Sequence, residues 1–193
     1  VRVVGAGIEV IDARIPISSG KPIICDLVKS KPRIIVLNRS GLADDKAVKD
    51  WAETFRRRGN RALAMNCMGG AGSKELFRLL SSMEAEKNKD KVRQKPYRLM
   101  IVGVPNVGKS SLINRMTGKK SAQTGDRPGV TRGKQWLRLQ NGMQLLDTPG
   151  ILWPKFEDPK AGLNLAFCGS IKDEILDVPT LAMELIGVLA EHY

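Results

Sequence analysis

Aromatic side chains are scarce: three Trp, two Tyr and four Phe in 193 residues. So few rings leave little with which to stack the bases of single-stranded nucleic acid. Histidine occurs once, at His192 in the last helix-like run, far in sequence from any motif described below, and it reads as a surface residue. Three cysteines, Cys25, Cys67 and Cys168, have neither metal-ligand spacing nor the even number a disulfide framework needs. They fit a reducing, cytosolic-type compartment and small apolar side chains in a core. No apolar run approaches the roughly 18 residues of a membrane span, and no signal-peptide pattern opens the chain. Together these absences exclude a membrane protein, a disulfide scaffold and a metal-cluster protein. The chain opens at Val1, already inside an apolar strand-like run, which reads as a fragment or a processed form.

Positive charge, in contrast, is abundant, with a formal net charge of +12. Such an excess draws polyanions by releasing their counterions, or it serves as a solubilising surface. With few aromatics, recognition of folded RNA by shape and phosphate fits better than base reading. The length suits one α/β domain with little left for a second.

Strand-like runs at 7–12, 33–38 and 62–66 alternate with helical patterns. Val48, Trp51, Ala52 and Phe55 share one face, as do Leu76, Leu79, Leu80 and Met83. This alternation predicts a mostly parallel sheet covered by helices. The charged stretch 84–98 reads as a helix tail running into an exposed connection. Further strands are expected at 99–102, 134–139 and 143–146. The pattern then loosens until Thr180, where Leu181, Leu185, Val188 and Leu189 mark an amphipathic helix.

Gly103-Val-Pro-Asn-Val-Gly-Lys-Ser110 follows the apolar run 99–102 and opens a helix-like run at 109–116. Glycines at both ends let the backbone wrap an anion, so that N–H groups and the positive helix end face a phosphate. Lys109 adds a point charge near the β- and γ-phosphates, and the Ser110 hydroxyl suits Mg²⁺. Asp147-Thr-Pro-Gly150 closes the strand 143–146, where an aspartate holds Mg²⁺ through water and the Gly150 N–H meets a γ-phosphate oxygen. Between them, Thr131 in Pro128-Gly-Val-Thr131 is placed to complete the Mg²⁺ shell only with a triphosphate.

For the base, Asn38-Arg39-Ser40-Gly41 resembles the Asn-Lys-x-Asp element that reads guanine. The Arg39 stem can replace the lysine stem. Gly41 cannot replace the aspartate, whose two hydrogen bonds to guanine are worth roughly 3–6 kcal/mol together. Asn66-Cys-Met68 sits where a backbone N–H normally meets guanine O6.

The order of these motifs, base elements first and phosphate loop second, resembles the circularly permuted GTPases. Within them the chain is similar to the YlqF/RbgA family of large-subunit assembly factors. The resemblance rests on Glu9-Val-Ile-Asp-Ala-Arg-Ile-Pro-Ile-Ser18, the phosphate loop through Ser111, Pro128 to Thr131, Asp147-Thr-Pro-Gly-Ile-Leu-Trp-Pro154 and Leu165-Ala-Phe-Cys-Gly-Ser-Ile-Lys-Asp173. It implies a Ras-like P-loop NTPase sheet with helices on both faces. Residues 1–155 would form the permuted domain: a base half at 1–83, a linker at 84–98 and a phosphate half at 99–155. Residues 156–193 would open a C-terminal helical region that is cut off in this chain.

The resemblance further implies a cytoplasmic or organellar monomer that binds GTP or GDP with Mg²⁺ and acts on the large-subunit precursor, its rRNA and its proteins. The nucleotide would meet residues 38–41, 66–68 and 105–111 (Pro105 and Val107 among them), with Thr131, Asp147 and Gly150. Ser110, Thr131 and Asp147 would hold Mg²⁺. Asn106 matches a loop asparagine that helps hold K⁺ in similar GTPases, and it also suits a plain turn. Ile151 stands where many GTPases carry a water-orienting glutamine, so no catalytic side chain is assigned and hydrolysis would need a partner. Gly41 keeps open an RNA-binding scaffold with weak hydrolysis and a P-loop ATPase without guanine preference. A K⁺-dependent GTPase of tRNA modification or metal transport is disfavoured by the motif order and the missing membrane spans.

Overall fold

A computed structural model describes residues 4–20, 31–89, 96–118, 135–148, 152 and 158–192. The first strand, β1 (Ala6–Asp12), is buried along its whole length, Glu9 and Asp12 included. A run buried on both faces is the signature of a central parallel strand. Its neighbours are β2 (Arg33–Asn38) on one side and β4 (Arg98–Val102) on the other, both parallel to it. Beyond β2 lies β3 (Arg61–Ala64), and beyond β4 lie β6 (Gln144–Asp147) and then β5 (Gln135–Arg138). The sheet order is therefore β3-β2-β1-β4-β6-β5, with only β5 antiparallel to its neighbour.

From β1 the chain first builds outward through β2 and β3, then returns to the other side of β1 to lay down β4. Strand order reverses between β1 and β4. In open α/β sheets such a switch point, at the carboxyl ends of the strands, leaves a crevice for ligands. The phosphate loop leaves β4 there.

Alternation along the strands sorts the core into two faces. Ile8, Val10, Ile34 and Val36 pack in one cluster with Leu76, Leu80 and Met83 of α3 (Ser73–Asn88) and with Leu112 and Met116 of α4 (Lys109–Thr117). Ile11, Ile35 and Leu37 point the other way, onto Val48, Ala52 and Phe55 of α2 (Asp45–Arg57). Helices thus cover both faces, as the alternating pattern predicts. Helix α2 is fixed at its start by Asp44, whose carboxylate accepts from the Ala47 N–H at 2.7 Å, and carries Arg56 and Arg57 in its last turn.

Two local expectations need correction. Strand β3 ends at Ala64 rather than at Asn66, because Asn66 turns the chain with its side chain and frees the next residues from the ladder. The stretch before Thr180 is not shapeless. It holds α5 (Pro159–Phe167), capped by Asp158, and a 3-10 turn at Asp173–Ile175. Only Leu165 and Ala166 of α5 are buried, too few to give a visible period. The last helix, α6 (Val178–His192), forms as the pattern predicts, and among its described side chains none is buried: Met183, Leu185, Ile186, Val188 and Leu189 are all exposed. A short helix, α1 (Pro16–Ser19), follows β1 and packs against α5. Among the described residues, no helix is long and apolar enough to cross a membrane.

Candidate nucleotide site

Loop 103–108 turns sharply between β4 and α4. At Gly103 a Cβ would lie 2.5 Å from the Val10 carbonyl oxygen of the neighbouring strand, so only glycine lets the backbone pass. Asn106 takes the left-handed conformation (φ 55°), which asparagine tolerates better than most residues. At Gly108 (φ 100°) a Cβ would collide with the Asn38 amide. Helix α4 begins directly after it, with no side-chain cap and no acidic residue in its first turn. An uncapped N-terminus keeps its N–H groups for an anion. Lys109 lies almost buried, its Nζ donating to the Val104 carbonyl at 2.9 Å, so the ammonium is held across the loop. Pro105 and Val107 are buried beneath the loop, while Ser110 and Ser111 are partly exposed on the first turn of α4.

The base elements reach this loop directly. Asn38, at the end of β2 and buried, donates through Nδ2 to the Val107 carbonyl (2.8 Å). Its Oδ1 accepts from the Cys67 N–H (3.0 Å). One side chain thus ties three loops together. Arg39 adopts the left-handed conformation (φ 60°) and stretches its guanidinium across the same cleft. It donates to the Asn106 carbonyl at 2.8 Å and reaches Asp12 at 3.4 Å. Ser40 bonds back to the Met65 carbonyl through its hydroxyl (3.1 Å), which pins the 3-10 turn Ser40–Leu42 to the next loop. Gly41 is exposed in that turn, and a Cβ there would find only Asn66 Nδ2, 4.0 Å away.

Asn66 directs its Oδ1 to the N–H groups of Met68 (3.1 Å) and Gly69 (3.0 Å). The Met68 side chain projects into solvent, its sulfur 3.8 Å from the Ser111 hydroxyl. Burial pushes the Cys67 thiol up to about 12, so it is inert packing rather than a nucleophile. Cys168 is half-buried and also raised by burial. Asp147 ends β6 and is fully buried, and Thr148 beside it donates to the Ile101 carbonyl at 2.6 Å. Ser110, at the start of the helix that follows β4, and Asp147, at the end of the adjacent β6, offer only oxygen donors, which suit a hard cation such as Mg²⁺. The expected site residues Thr131, Gly150 and Ile151 lie outside the described residues, as do Cys25 and the side chain of His192.

Several contacts were not foreseen from the sequence. Asp12 is a buried hub, accepting from the Arg14 backbone N–H (3.0 Å) and from its guanidinium (2.9 and 2.7 Å) as well as from Arg39. That pairing raises the Arg14 guanidinium further. The Asn106 Nδ2, expected beside a cation, donates to the Gly169 carbonyl at 2.7 Å. Asn164 on α5 donates to the Ser18 hydroxyl (3.1 Å). The stretch 164–169 is thus latched onto both the phosphate loop and the turn after β1. Arg115, two turns into α4, donates to the carbonyls of Cys67 and Met68. Its only signal in the sequence is helical spacing, four residues beyond Ser111.

Residues 98–185 match a family model described as 50S ribosome-binding GTPase. The chain is 46% identical over 191 residues to Ribosome biogenesis GTPase A of Bacillus cereus, covering 96% of this chain and 64% of the relative. It is 36% identical to Mitochondrial ribosome-associated GTPase 1 of Mus musculus, covering 96% of this chain and 60% of that one. The chain therefore spans a little under two thirds of the length of these relatives. A solved GNP-bound structure of YlqF from T. maritima superposes with a TM-score of 0.69 at 31% identity, covering 99% of this chain and 71% of that one. A GDP-bound YlqF gives 0.66 at 33%, covering 93% and 68%. With base loops preceding the phosphate loop on a P-loop NTPase sheet, the chain belongs to the YlqF/RbgA family of ribosome biogenesis GTPases.

Proposed function

We propose that this chain binds GTP and hydrolyses it during late assembly of the large ribosomal subunit, its nucleotide state controlling attachment to rRNA. The observation that carries the reading is the Asn38 clasp, which draws base loop and phosphate loop into one cleft at the sheet's switch point. The relatives' names and the net charge of +12 support a ribosomal partner. The partner is the subunit precursor, rRNA and ribosomal proteins, met by a monomer in the cytosol or an organelle matrix. Residues 1–155 form the nucleotide domain and 156–193 lead into a helical region. Burial of Leu165 in the main core favours extending the first unit through α5.

In this reading the uncapped start of α4 and Lys109 hold the β- and γ-phosphates, and the Arg39 stem lies along the base. Ser110 and Asp147 would hold Mg²⁺, with Thr131 joining in the triphosphate state, and there it would supply positive charge to the phosphate oxygens. Asn106 contributes to a K⁺ site. Gly150 senses the γ-phosphate. Ile151 cannot orient a water, so the chain alone is slow and the ribosomal surface completes the site. Gly41 favours a second reading, a nucleotide-responsive RNA-binding scaffold with weak hydrolysis. Turnover of GTP measured with and without large subunits, in K⁺ and in Na⁺, separates them. Stimulation by subunits, greater in K⁺, is expected. A fast rate without subunits that ignores the cation contradicts the partner-dependent mechanism, and no turnover under any condition leaves the scaffold.

A further inference from the structure

Arg115 projects from α4 toward the loop that follows β3. Its Nε donates to the Cys67 carbonyl at 2.9 Å and its Nη2 to the Met68 carbonyl at 2.6 Å. Each carbonyl shares a rigid peptide plane with the next residue's N–H, which points the opposite way. The two planes therefore end in the N–H groups of Met68 and Gly69, and both converge on Asn66 Oδ1. Two consecutive peptides are gripped at both edges, by a cation on the carbonyl side and by an amide oxygen on the N–H side. The guanidinium has its place because residue 70 is glycine: a Cβ there would stand 2.5 Å from Arg115 Nη1, and its φ is 85°. A planar two-armed donor suits two neighbouring carbonyls, and lysine would satisfy one at a time. A cation on a carbonyl also polarises the N–H of the same peptide, making it a stronger donor. The same loop gives its Cys67 N–H to Asn38, which bonds the phosphate loop.

We propose that Arg115 is a positioning residue for the nucleobase. It aims and polarises the Met68 and Gly69 N–H groups at a base carbonyl oxygen, which takes the place that Asn66 Oδ1 fills within the loop. This rests on the nucleotide-binding reading and deepens it. A purine with an oxo group at C6 presents an acceptor to these donors. A purine with an amino group there presents N–H to N–H and leaves these two donors without an acceptor on the base. Arg115 thereby separates oxo from amino purines without touching either.

The test is calorimetric titration of the 193-residue chain with GTP, ATP and inorganic tripolyphosphate in Mg²⁺, for the wild type, Arg115→Gln and Arg115→Lys. Arg115→Gln is expected to weaken GTP about 10-fold while ATP and tripolyphosphate stay within about 2-fold, with Arg115→Lys between, since one of two charge-assisted bonds survives. Ratios are taken within each variant, so a shared loss of folded protein cancels. Equal weakening of all three ligands would show a merely structural role and overturn the proposal, as would an unchanged GTP affinity. A wild type that binds none of the three overturns the nucleotide reading and this inference with it.

Discussion

Gly41 lies in a 3-10 turn with open space where a Cβ would stand, and the nearest atom there is the donor nitrogen of Asn66. An aspartate fits that space and would face both Asn66 and the base. Without it, nothing at residue 41 distinguishes a purine carrying a 2-amino group from one lacking it. The wild type is therefore expected to bind GTP and ITP within about 3-fold, and Gly41→Asp to favour GTP by roughly 10-fold or more, in line with charged hydrogen bonds of about 1.5–3 kcal/mol. Competition titrations check both statements. Cys67 makes a separate residue-scale prediction. Its thiol, pushed by burial to about 12 in the folded chain from an ordinary value of 9.0, stays protonated when the unfolded thiol ionises. Folded stability from this group is present below pH 9 and is lost as pH rises towards 12. At pH 8, alkylation followed by mass spectrometry should label Cys168 before Cys67, whose sulfur is almost fully buried. The residues of the candidate nucleotide site stand out in the sequence at this scale because phosphate chemistry demands fixed residue types at fixed spacing. Arg115 does not, because its partners are backbone carbonyls of a loop far away in sequence, nor does the Asp12–Arg39 contact, which spans 27 residues.

Among the elements, those with a full buried stripe were readable. Helices α2 and α3 bury three residues each at helical spacing, and β1 and β2 are nearly continuous apolar runs. Helix α5 escaped notice because two buried residues in nine leave no period. Yet it matters to the site, since it latches onto Ser18 through Asn164 and continues to the carbonyl that Asn106 meets. Leu165, with no exposed surface, is its anchor in the main core. Leu165→Ala should cost about 2–5 kcal/mol, read as a lower midpoint in urea unfolding at unchanged slope. The helical pattern of α6 was equally legible, but its partners were not: periodicity reports an apolar face and says nothing of what covers it.

For the whole molecule, the permuted order places strands β1 to β3, which carry the candidate base loops, before the phosphate-loop half while the sheet order keeps both halves side by side. The two halves meet through the β1–β4 ladder and through side-chain crossings, among them Asn38, whose Nδ2 bonds the Val107 carbonyl while its Oδ1 holds the Cys67 N–H. The net charge belongs to this scale too. Attachment to rRNA through about six phosphate contacts should weaken at least a hundredfold between 50 and 200 mM salt, as filter binding or fluorescence anisotropy would read. Base loop and phosphate loop are proposed to form one nucleotide site through Asn38. Titration of GTP with Mg²⁺ into the wild type and Asn38→Ala tests it. Binding by the wild type and a loss of about 1–3 kcal/mol in the variant, roughly 5- to 150-fold in affinity, are expected, because two partners lose their bonds. Equal affinity in the two proteins, or none in the wild type, would contradict this one-site reading.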